Sequence, residues 1–398
     1  MKAKPKKTKV AIITNIPTPY RNPLFEHLSK NNRNIEFVVY FFAKYEKNRS
    51  WKFSEPFKFK YKFLKGISMS WRKKDDDLFT LHINFSIIFE IFKEKYDVVI
   101  CSGYNSISAI ITLLCTKILR KPFIHWTEQT LEAEPSKSLI SNLIRNLLKK
   151  TFLKLSDAHI AAGNHTKNFL VANKVDKKRI FISPNAIDLS YFLSNVNVYR
   201  TKKDILKKEL NLNNKIIILY VGQLISRKGI FDLLEAYNNL DIKEKETTYL
   251  LIIGEGPLYI DVKKYCYERN LKNVILTGYK QQSELLKYYA ISDIFILPSK
   301  YDIWGFVVNE AMACSLPIIT TINVGASGDI VKNGVNGYVA KTSDPNELSK
   351  LIKILIKDRD LRERMGKNSR NIIIDWNLDK AVEGFLNSID FVLAQKTN

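Results

Sequence analysis

Short apolar runs recur along the chain, and stretches with helical spacing of apolar residues follow most of them. The runs at residues 10–13, 97–101, 215–221 and 249–253 are almost entirely apolar, which is typical of strands buried on both faces of a parallel sheet. Polar loops and helix-forming segments separate these runs, so that strand, loop, helix and strand alternate. We therefore predict an α/β protein built from doubly wound parallel sheets.

The length of the chain predicts two domains. A chain of 398 residues is too long for one compact core, and its hydrophobic fraction of 45% is that of an ordinary globular protein. The two strand–helix arrays join near residue 195. We expect Rossmann-like domains at residues 1–195 and 196–375, with a cleft between them where a ligand would bind.

The charge of the chain predicts anionic partners. The formal net charge is +23 and the pI is near 9.6. Nucleic acid, a nucleotide-sugar diphosphate and an anionic membrane surface all fit such a charge. The chain is also rich in Lys, Ile and Asn, a bias that an AT-rich genome produces by itself, so charge alone does not choose among these partners.

The cysteines predict a reducing compartment and no structural zinc. No CxxC pair occurs, and the cysteines lie in largely apolar surroundings, as expected for reduced core residues of a cytoplasmic protein. The four residues are Cys101, Cys115, Cys266 and Cys314.

The apolar runs are too short to cross a bilayer. The longest, at residues 107–119, is interrupted by Lys117 and falls short of the roughly 18–20 residues that a span requires. The basic N-terminus lacks the hydrophobic region of a signal peptide. We expect a cytoplasmic protein that is soluble or peripheral on the inner face of the cell membrane.

The segment at residues 295–340 carries the most informative constellation of residues. An apolar run ends at Leu297, a polar loop follows with Asp302, and Gly305 opens a helical segment that carries Glu310. In parallel α/β sheets, ligands bind outside the carboxyl ends of the strands, where these loops lie. Two carboxylates eight positions apart can converge on a polyhydroxylated ligand, and free N–H groups after Gly305 suit a phosphate.

A second loop predicts a diphosphate site. The strand at residues 215–221 ends at Gly222, and Arg227, Lys228 and Gly229 precede a helical stretch. Two adjacent cations and a glycine turn before a helix offer charges, N–H donors and room for close approach. The alternative is a basic surface turn.

These motifs resemble the retaining GT-B glycosyltransferases of family 4 over nearly the whole chain. Asp302 and Glu310, with the flanking Gly-Phe and Glu-Ala-Met-Ala, resemble the E-x7-E signature, although the first carboxylate is aspartate here. The segment from Gly222 to Gly229 resembles G-x-L-x-x-x-K-G, with Gln223 where an arginine is usual. The resemblance implies a GT-B fold, two Rossmann-like domains facing across a cleft, and metal-independent transfer from a nucleotide sugar with retention.

The resemblance also assigns donor-binding residues. Arg227 and Lys228 would neutralise the diphosphate, Glu310 would bind the ribose, and Asp302 would hold the sugar hydroxyls. We expect UDP as the nucleotide and no cofactor. The donor-binding residues are Gly222, Arg227, Lys228, Gly254, Tyr279, Asp302, Gly305, Phe306 and Glu310.

The first domain would bind the acceptor, a glycan or lipid-linked sugar. The string PTPYRNPLFE resembles members that build bacterial surface polysaccharides, and it places Tyr20 and Arg21 in the first loop. Glu128 lies where related enzymes often carry a histidine beside the anomeric carbon, while His125 fits an interior strand position. We predict Tyr20, Arg21 and Glu128 as acceptor-binding, and Glu128, Arg227, Lys228 and Asp302 as catalytic.

The family resemblance also places the connections between domains. Residues 185–188 resemble the motif before the interdomain linker, which we expect at residues 189–200. Trp376 would begin a final helix, at residues 376–398, that crosses back onto the first domain.

Three further segments carry alternative interpretations. Residues 57–63 alternate aromatic and lysine, which favours an edge strand with a solvated lysine face over a nucleic-acid surface. Residues 75–77 read Asp-Asp-Asp in a charged loop, which favours solvation over metal binding. Residues 139–155 form a basic amphipathic helix that would lie on an anionic leaflet or pack against the sheet.

Other functions remain as alternatives. A nucleic-acid-binding protein would use the net charge of +23, but no known binding module is present and the cations are dispersed. A degenerate, non-catalytic GT-B scaffold in a polysaccharide assembly complex would explain Asp302 and Gln223. An inverting GT-B enzyme or an epimerase of the same fold is a weaker alternative. Because no nucleic-acid-binding module is present, we expect no nucleic acid among the partners. Because the family resemblance implies metal-independent transfer, we also expect no metal.

Overall fold

The computed structural model describes residues 7–31, 34–47, 49, 51, 53, 55–72, 78–104, 106–131, 139–212 and 214–397. Within them the chain forms two compact units. The first contains the residues up to Ala186 and the C-terminal segment from Leu378, and the second contains Ile187–Asn377. The division between the units therefore falls nine residues before the predicted boundary at residue 195.

The first unit is built on a parallel sheet of seven strands and a separate antiparallel hairpin. The strands are β1 (Thr8–Thr14), β2 (Ile35–Phe41), β3 (Tyr61–Phe63), β4 (Ile67–Arg72), β5 (Leu78–Ile83), β6 (Val98–Ser102), β7 (Phe123–Thr127), β8 (Ala158–Ala161) and β9 (Ile180–Ile182). The order in the sheet is β3-β2-β1-β6-β7-β8-β9, and the hairpin pairs β4 with β5. The helices are α1 (Asn22–Asn31), α2 (Ser86–Glu94), α3 (Ile107–Ile118), α4 (Leu139–Leu155), α5 (Asn164–Ala172) and α15 (Leu378–Thr397).

The second unit has a parallel sheet of six strands. The strands are β10 (Ile216–Val221), β11 (Thr248–Ile253), β12 (Val274–Gly278), β13 (Ile294–Leu297), β14 (Ile318–Thr321) and β15 (Gly337–Ala340). Their order in the sheet is β12-β11-β10-β13-β14-β15. The helices are α6 (Leu189–Arg200), α7 (Lys203–Glu209), α8 (Ile230–Asn238), α9 (Ile242–Glu246), α10 (Tyr259–Glu268), α11 (Gln282–Ile291), α12 (Phe306–Ala313), α13 (Pro345–Lys357) and α14 (Arg359–Ile374). The α/β fold with parallel sheets is as predicted.

The apolar runs form the central strands because both faces of each sheet are covered by helices. The strands β1, β6 and β10 are buried along nearly their whole lengths. Burying an aliphatic side chain contributes about 1.5–3 kcal/mol, so these short runs account for much of the stability of each unit.

The predicted linker at residues 189–200 is wrong, because this stretch forms α6. The Asp188 carboxylate accepts the N–H of Tyr191 and caps the helix. Phe192 and Val196, four positions apart, are fully buried on one face. Ser and Asn at the intervening positions concealed the helical pattern in the sequence.

The predicted strand at residues 57–63 is only partly correct. Strand pairing covers Tyr61–Phe63, at the edge of the sheet, while residues 57–60 approach it without strand structure. The alternation still divides the side chains: Phe59 is buried, and the lysines at positions 58, 60 and 62 are exposed. The lysine side is therefore solvated, as expected.

The prediction that Trp376 begins the last helix is wrong. Its ring stacks on Trp304 in the second unit, with ring centroids 5.6 Å apart and planes 13° from parallel. The final helix α15 starts two residues later and belongs to the first unit. Asp358 separates α13 from α14, because it ends the first of these helices and caps the second.

The described part of α4 packs against the sheet of the first unit. Phe152 and Leu153 are buried, and the ammonium of Lys149 lies over the ring of Phe169. Its outer face mixes exposed Leu147 with exposed Lys150. This arrangement favours the packing interpretation of the helix over the membrane interpretation.

Docking of α15 onto the first unit depends on Gly384. A methyl group at this position would lie 2.2 Å from the carbonyl oxygen of Ile182. We predict that Gly384→Ala destabilises the protein by about 1–3 kcal/mol, since the overpacking exceeds the gain in helix propensity. Urea unfolding measures this change. Asn387→Ala, an exposed change on the same helix, is the control, and equal stability of both variants would contradict the packing.

Candidate functional site

The second sheet has a point at which the direction of strand order reverses. Strands β10 and β13 are neighbours there, although β11 and β12 separate them in the chain. The loops that leave their carboxyl ends, at residues 222–229 and 298–305, therefore run side by side. Such a switch point is where ligands bind in open α/β sheets.

Gly229 brings these two loops into close contact. Its φ of +68° lies in the left-handed region, and a methyl group there would lie 2.0 Å from the carbonyl oxygen of Pro298. The N–H of Lys300 donates to the carbonyl oxygen of Arg227 at 2.8 Å. Only glycine permits this approach, which holds the two loops together.

An ion pair joins the predicted catalytic residues of the two loops. The ammonium of Lys228 donates to the carboxylate of Asp302, and both side chains are 12% exposed. The Asp302 backbone is held in turn, since its N–H donates to Asn323 and its carbonyl accepts from Gly325. Separating two largely buried opposite charges is costly unless another charged group takes the place of the lost partner.

Arg227 lies beside this pair. One of its guanidinium nitrogens is 3.4 Å from the carbonyl oxygen of Tyr301, in the same loop as Asp302. The short helical turn Ser226–Lys228 presents Arg227 and Lys228 just before α8. Both predicted diphosphate-binding cations therefore lie at the switch point.

Glu310 occupies a buried position in α12, the helix that Gly305 begins with a φ of +89°. The hydroxyl of Tyr289 donates to Oε2 at 2.7 Å, and the amide of Gln282 is 3.4 Å from Oε1. Burial disfavours the charged form and raises the pKa of Glu310 to about 7, although both hydrogen bonds act to lower it. Tyr289 and Gln282 come from α11, and no signal in the sequence indicated that they would orient this carboxylate.

The remaining predicted donor residues lie at the same edge of the sheet. A methyl group on Gly254 would lie 1.8 Å from the carbonyl oxygen of Gly222, so the loops after β10 and β11 touch. Tyr279 directly follows β12, and its N–H is 3.3 Å from a carboxylate oxygen of Glu255. Phe306 is the first residue of α12. Loops from four neighbouring strands thus bring the predicted set together.

Trp304 supports the loop that carries Asp302, a role that the sequence did not reveal. Its indole N–H donates to Asn309 at 2.8 Å, and its ring stacks on Trp376. Trp376, which was predicted to begin a helix, instead stacks on Trp304 and so helps to position the loop before α12.

The first unit has an equivalent switch point, between β1 and β6. There Arg21 binds Glu128 with 3.1 Å between Nη2 and Oε2, and it donates to the hydroxyl of Thr14 at 2.8 Å. The guanidinium also lies 4.4 Å from the ring centroid of Trp126. Two of the predicted acceptor-binding residues are therefore direct partners.

The other predictions in the first unit have different outcomes. Tyr20 packs edge-on against Trp51, with ring centroids 6.2 Å apart. His125 is a fully buried residue of β7, and burial lowers its pKa to about 3, so it fits the strand interpretation. Residues 75–77 lie outside the described residues.

Two kinds of feature are absent from the described part of the chain. No cluster of three or more histidine, cysteine, aspartate or glutamate side chains there is arranged to hold a metal ion. None of the helices described is long and apolar enough to cross a bilayer. The predicted absence of a metal stays a prediction.

Comparison with known proteins is consistent across both units. Residues 26–191 match the model described as Glycosyltransferase Family 4, and residues 201–372 match the model described as Glycosyl transferases group 1. The structure of Anabaena Alr3699/HepE in complex with UDP and glucose superposes with a TM-score of 0.72 at 15% identity, covering 96% of this chain and 99% of that chain. This likeness shows the fold.

Two relatives are similar in sequence over most of the chain. The capsular polysaccharide biosynthesis glycosyltransferase CapM of Staphylococcus aureus is 27% identical, over 75% of this chain and 77% of that protein. The UDP-Gal:alpha-D-GlcNAc-diphosphoundecaprenol alpha-1,3-galactosyltransferase of Escherichia coli is 27% identical, over 73% of this chain and 74% of that protein.

The raised pKa of Glu310 predicts a pH-dependent stability. Its contribution to the free energy of unfolding is complete below pH 4.5 and is lost as the pH rises through about 7. In the native protein, this loss of unfolding free energy amounts to about 3 kcal/mol between pH 4.5 and the fully ionised form. We expect Glu310→Gln to show no such loss, because glutamine does not ionise. Urea unfolding at pH 5, 6, 7 and 8 tests it, with exposed Glu268→Gln as the control. Parallel curves for the native protein and Glu310→Gln would contradict the raised pKa.

Proposed function

Because this chain belongs to the GT-B glycosyltransferases, with a family 4 domain followed by a group 1 domain, we propose that it transfers a sugar from a UDP-sugar to a lipid-linked glycan. The transfer proceeds with retention of anomeric configuration and serves the synthesis of a cell-surface polysaccharide. The names of the Staphylococcus and Escherichia relatives support the pathway class and the lipid-linked acceptor. The UDP complex of the Anabaena neighbour supports the choice of nucleotide.

The observation that carries this proposal is the Lys228–Asp302 pair at the switch point. Lys228 leaves Asp302 when the donor enters, and its ammonium binds the diphosphate with Arg227. The same exchange frees the Asp302 carboxylate to accept hydrogen bonds from sugar hydroxyls. Buried Glu310 accepts hydrogen bonds from the ribose, for which its oriented carboxylate is suited.

The chemistry is departure of the nucleoside diphosphate from the anomeric carbon. Negative charge develops on the leaving phosphate, and Arg227, Lys228 and the N–H groups at the start of α12 stabilise it. These cations and dipoles supply the role that a divalent metal has in other transferases. We propose front-face transfer in which the leaving phosphate takes the proton of the acceptor hydroxyl.

Arg21 and Glu128 position the acceptor in the first unit. Oε1 of Glu128 is buried and has no hydrogen-bond partner among the described residues, while Oε2 binds Arg21. A buried acceptor atom of this kind is costly unless a ligand satisfies it. We propose that an acceptor hydroxyl donates to Oε1, and that the enzyme works at the inner face of the membrane, where lipid-linked sugars are presented.

Donor binding tests the first part of the proposal. With EDTA present, UDP at about a hundred times its dissociation constant should stabilise the native protein by roughly 2.7 kcal/mol in thermal unfolding. Lys228→Ala should lose this stabilisation, because the diphosphate loses its main counter-charge. Lys203→Ala is the matched control, since Lys203 also pairs with an aspartate, Asp293. Asp293 directly precedes β13, whereas Asp302 follows it, so this pair lies away from the switch point.

Two outcomes would contradict the donor site. If no nucleotide stabilises the native protein, a degenerate scaffold becomes the better description. If Lys203→Ala and Lys228→Ala lose stabilisation equally, the effect does not come from the switch point.

The acceptor site makes a separate prediction. Glu128→Gln should keep the stabilisation by UDP and lower transfer to a lipid-linked acceptor by about 10²-fold or more, since the group that orients the acceptor hydroxyl is altered. Product formation measured by release of UDP gives the rate. Unchanged transfer by Glu128→Gln would remove this residue from the site.

A further inference from the structure

The hairpin of β4 and β5 presents an apolar face to solvent. Its cross-strand pairs on this face are Ile67 with Ile83, Met69 with Leu81, and Trp71 with Phe79. Ile67 is 66% exposed and Met69 is 54% exposed. An outward face made only of apolar side chains is unusual for a hairpin, whose solvent side is ordinarily polar.

The opposite face of the hairpin holds the polar residues. Ser68 bonds to His82 at 2.9 Å and Ser70 bonds to Thr80 at 3.0 Å. His82 is buried and bonds to Glu46 at 3.0 Å. The polar contacts thus fix which face of the hairpin points outward, so the exposure of the apolar face is a feature of the fold.

The helix that follows continues this pattern. Phe85 directly precedes α2, and Phe89 and Phe92 follow within it at spacings of four and three residues; Phe89 is 76% exposed. Ile118 on the neighbouring helix α3 is 70% exposed. We name the outward side chains of the hairpin and of these two helices the aromatic face.

Cations accompany the aromatic face. Lys65, Lys93, Lys95 and Arg120 are exposed around it, and no ion pair holds them among the residues that the structure describes. Two lysines compensate Glu90 and Glu94 of α2, because Lys62 lies 2.8 Å from Glu90 and Lys9 lies 3.9 Å from Glu94. The face therefore combines aromatic and aliphatic side chains with a net positive charge.

A small cavity adjoins the helical part of this face. Its volume is about 310 Å³, and Phe92, Leu119, Lys95 and Lys121 are among its lining residues. Asp97 also lines it, but one of its carboxylate oxygens accepts the backbone N–H of Lys9. Two lysines at an apolar cavity offer a place for a phosphate group beside buried methylene groups.

We propose that the aromatic face is a docking surface for an anionic lipid bilayer. Aromatic and aliphatic side chains would enter the interface, and the surrounding cations would contact lipid phosphates. A second copy of the chain fits less well, since an isologous contact would bring the same cations together. The proposal rests on the membrane location proposed above, but it assigns that contact to α2 and the hairpin rather than to α4.

Vesicle cosedimentation of the full chain tests this assignment. We expect binding to vesicles of phosphatidylcholine with 30% phosphatidylglycerol, weaker binding to phosphatidylcholine alone, and weakening by salt. Phe85→Ser with Phe89→Ser, and separately Ile67→Ser with Met69→Ser, should each lower the partition coefficient about tenfold or more. Lys93→Gln with Lys95→Gln should lower it several-fold and reduce its salt dependence.

Matched controls separate this face from general hydrophobicity. Ile242→Ser with Ile260→Ser removes side chains that are 75% and 76% exposed in the second unit, and binding should not change. In the same assay, Lys150→Gln with Lys154→Gln measures whether the lysines of α4 contribute to vesicle binding. Unfolding midpoints confirm that each variant is folded, and quenching of Trp71 by brominated lipid reports insertion directly.

Three results would overturn the proposal. The first is that the native protein binds both kinds of vesicle equally, or binds neither. The second is that the phenylalanine variant of the α2 region and the Ile67 and Met69 variant of the hairpin bind vesicles as tightly as the native protein does. The third is a concentration-dependent dimer in sedimentation that these variants abolish, which would assign the face to a second copy. UDP stabilisation without vesicle binding would reject the lipid surface and leave the donor site intact.

Discussion

The ion pair between Lys228 and Asp302 is the interaction on which the second unit's site depends. Each charge is largely buried, and removing one partner from such a pair typically costs about 3–5 kcal/mol because the other charge is left uncompensated. The pair ties the loop after β10 to the loop after β13, and Gly229 allows the close contact beneath it. In the proposed function, a nucleotide sugar replaces both partners at once, because it brings negative charge for Lys228 and hydroxyl groups for Asp302.

The first unit repeats this arrangement with different chemistry. Arg21 and Glu128 form an ion pair beside the point where β1 and β6 adjoin, as Lys228 and Asp302 do beside β10 and β13. The second unit surrounds its pair with glycines and adjacent cations, which suits a diphosphate. The first unit places its pair on Trp126 and leaves one carboxylate oxygen unsatisfied, which suits a hydroxyl-bearing acceptor.

Much of this fold could be predicted from the sequence, because buried parallel strands are short apolar runs and the loops after them carry recognisable residues. Asp302, Glu310 and Lys228 were predicted as site residues in this way, and the structure places them in the loops and the helix that follow β10 and β13. The contact of Tyr289 with Glu310 could not be, since it joins two helices whose packing no local pattern encodes. The helix α6 was missed because Ser and Asn interrupt its apolar stripe, and Trp376 was misassigned because its partner, Trp304, lies 72 positions away in the chain.

A crystal structure of the protein with UDP, grown in the presence of EDTA, tests the central claim most directly. We predict that the ammonium of Lys228 lies within hydrogen-bond distance of a diphosphate oxygen and no longer binds Asp302. The ribose hydroxyls should donate to the carboxylate of Glu310. Nucleotide bound elsewhere, or bound while the pair of Lys228 and Asp302 stays intact, would contradict the proposed donor site.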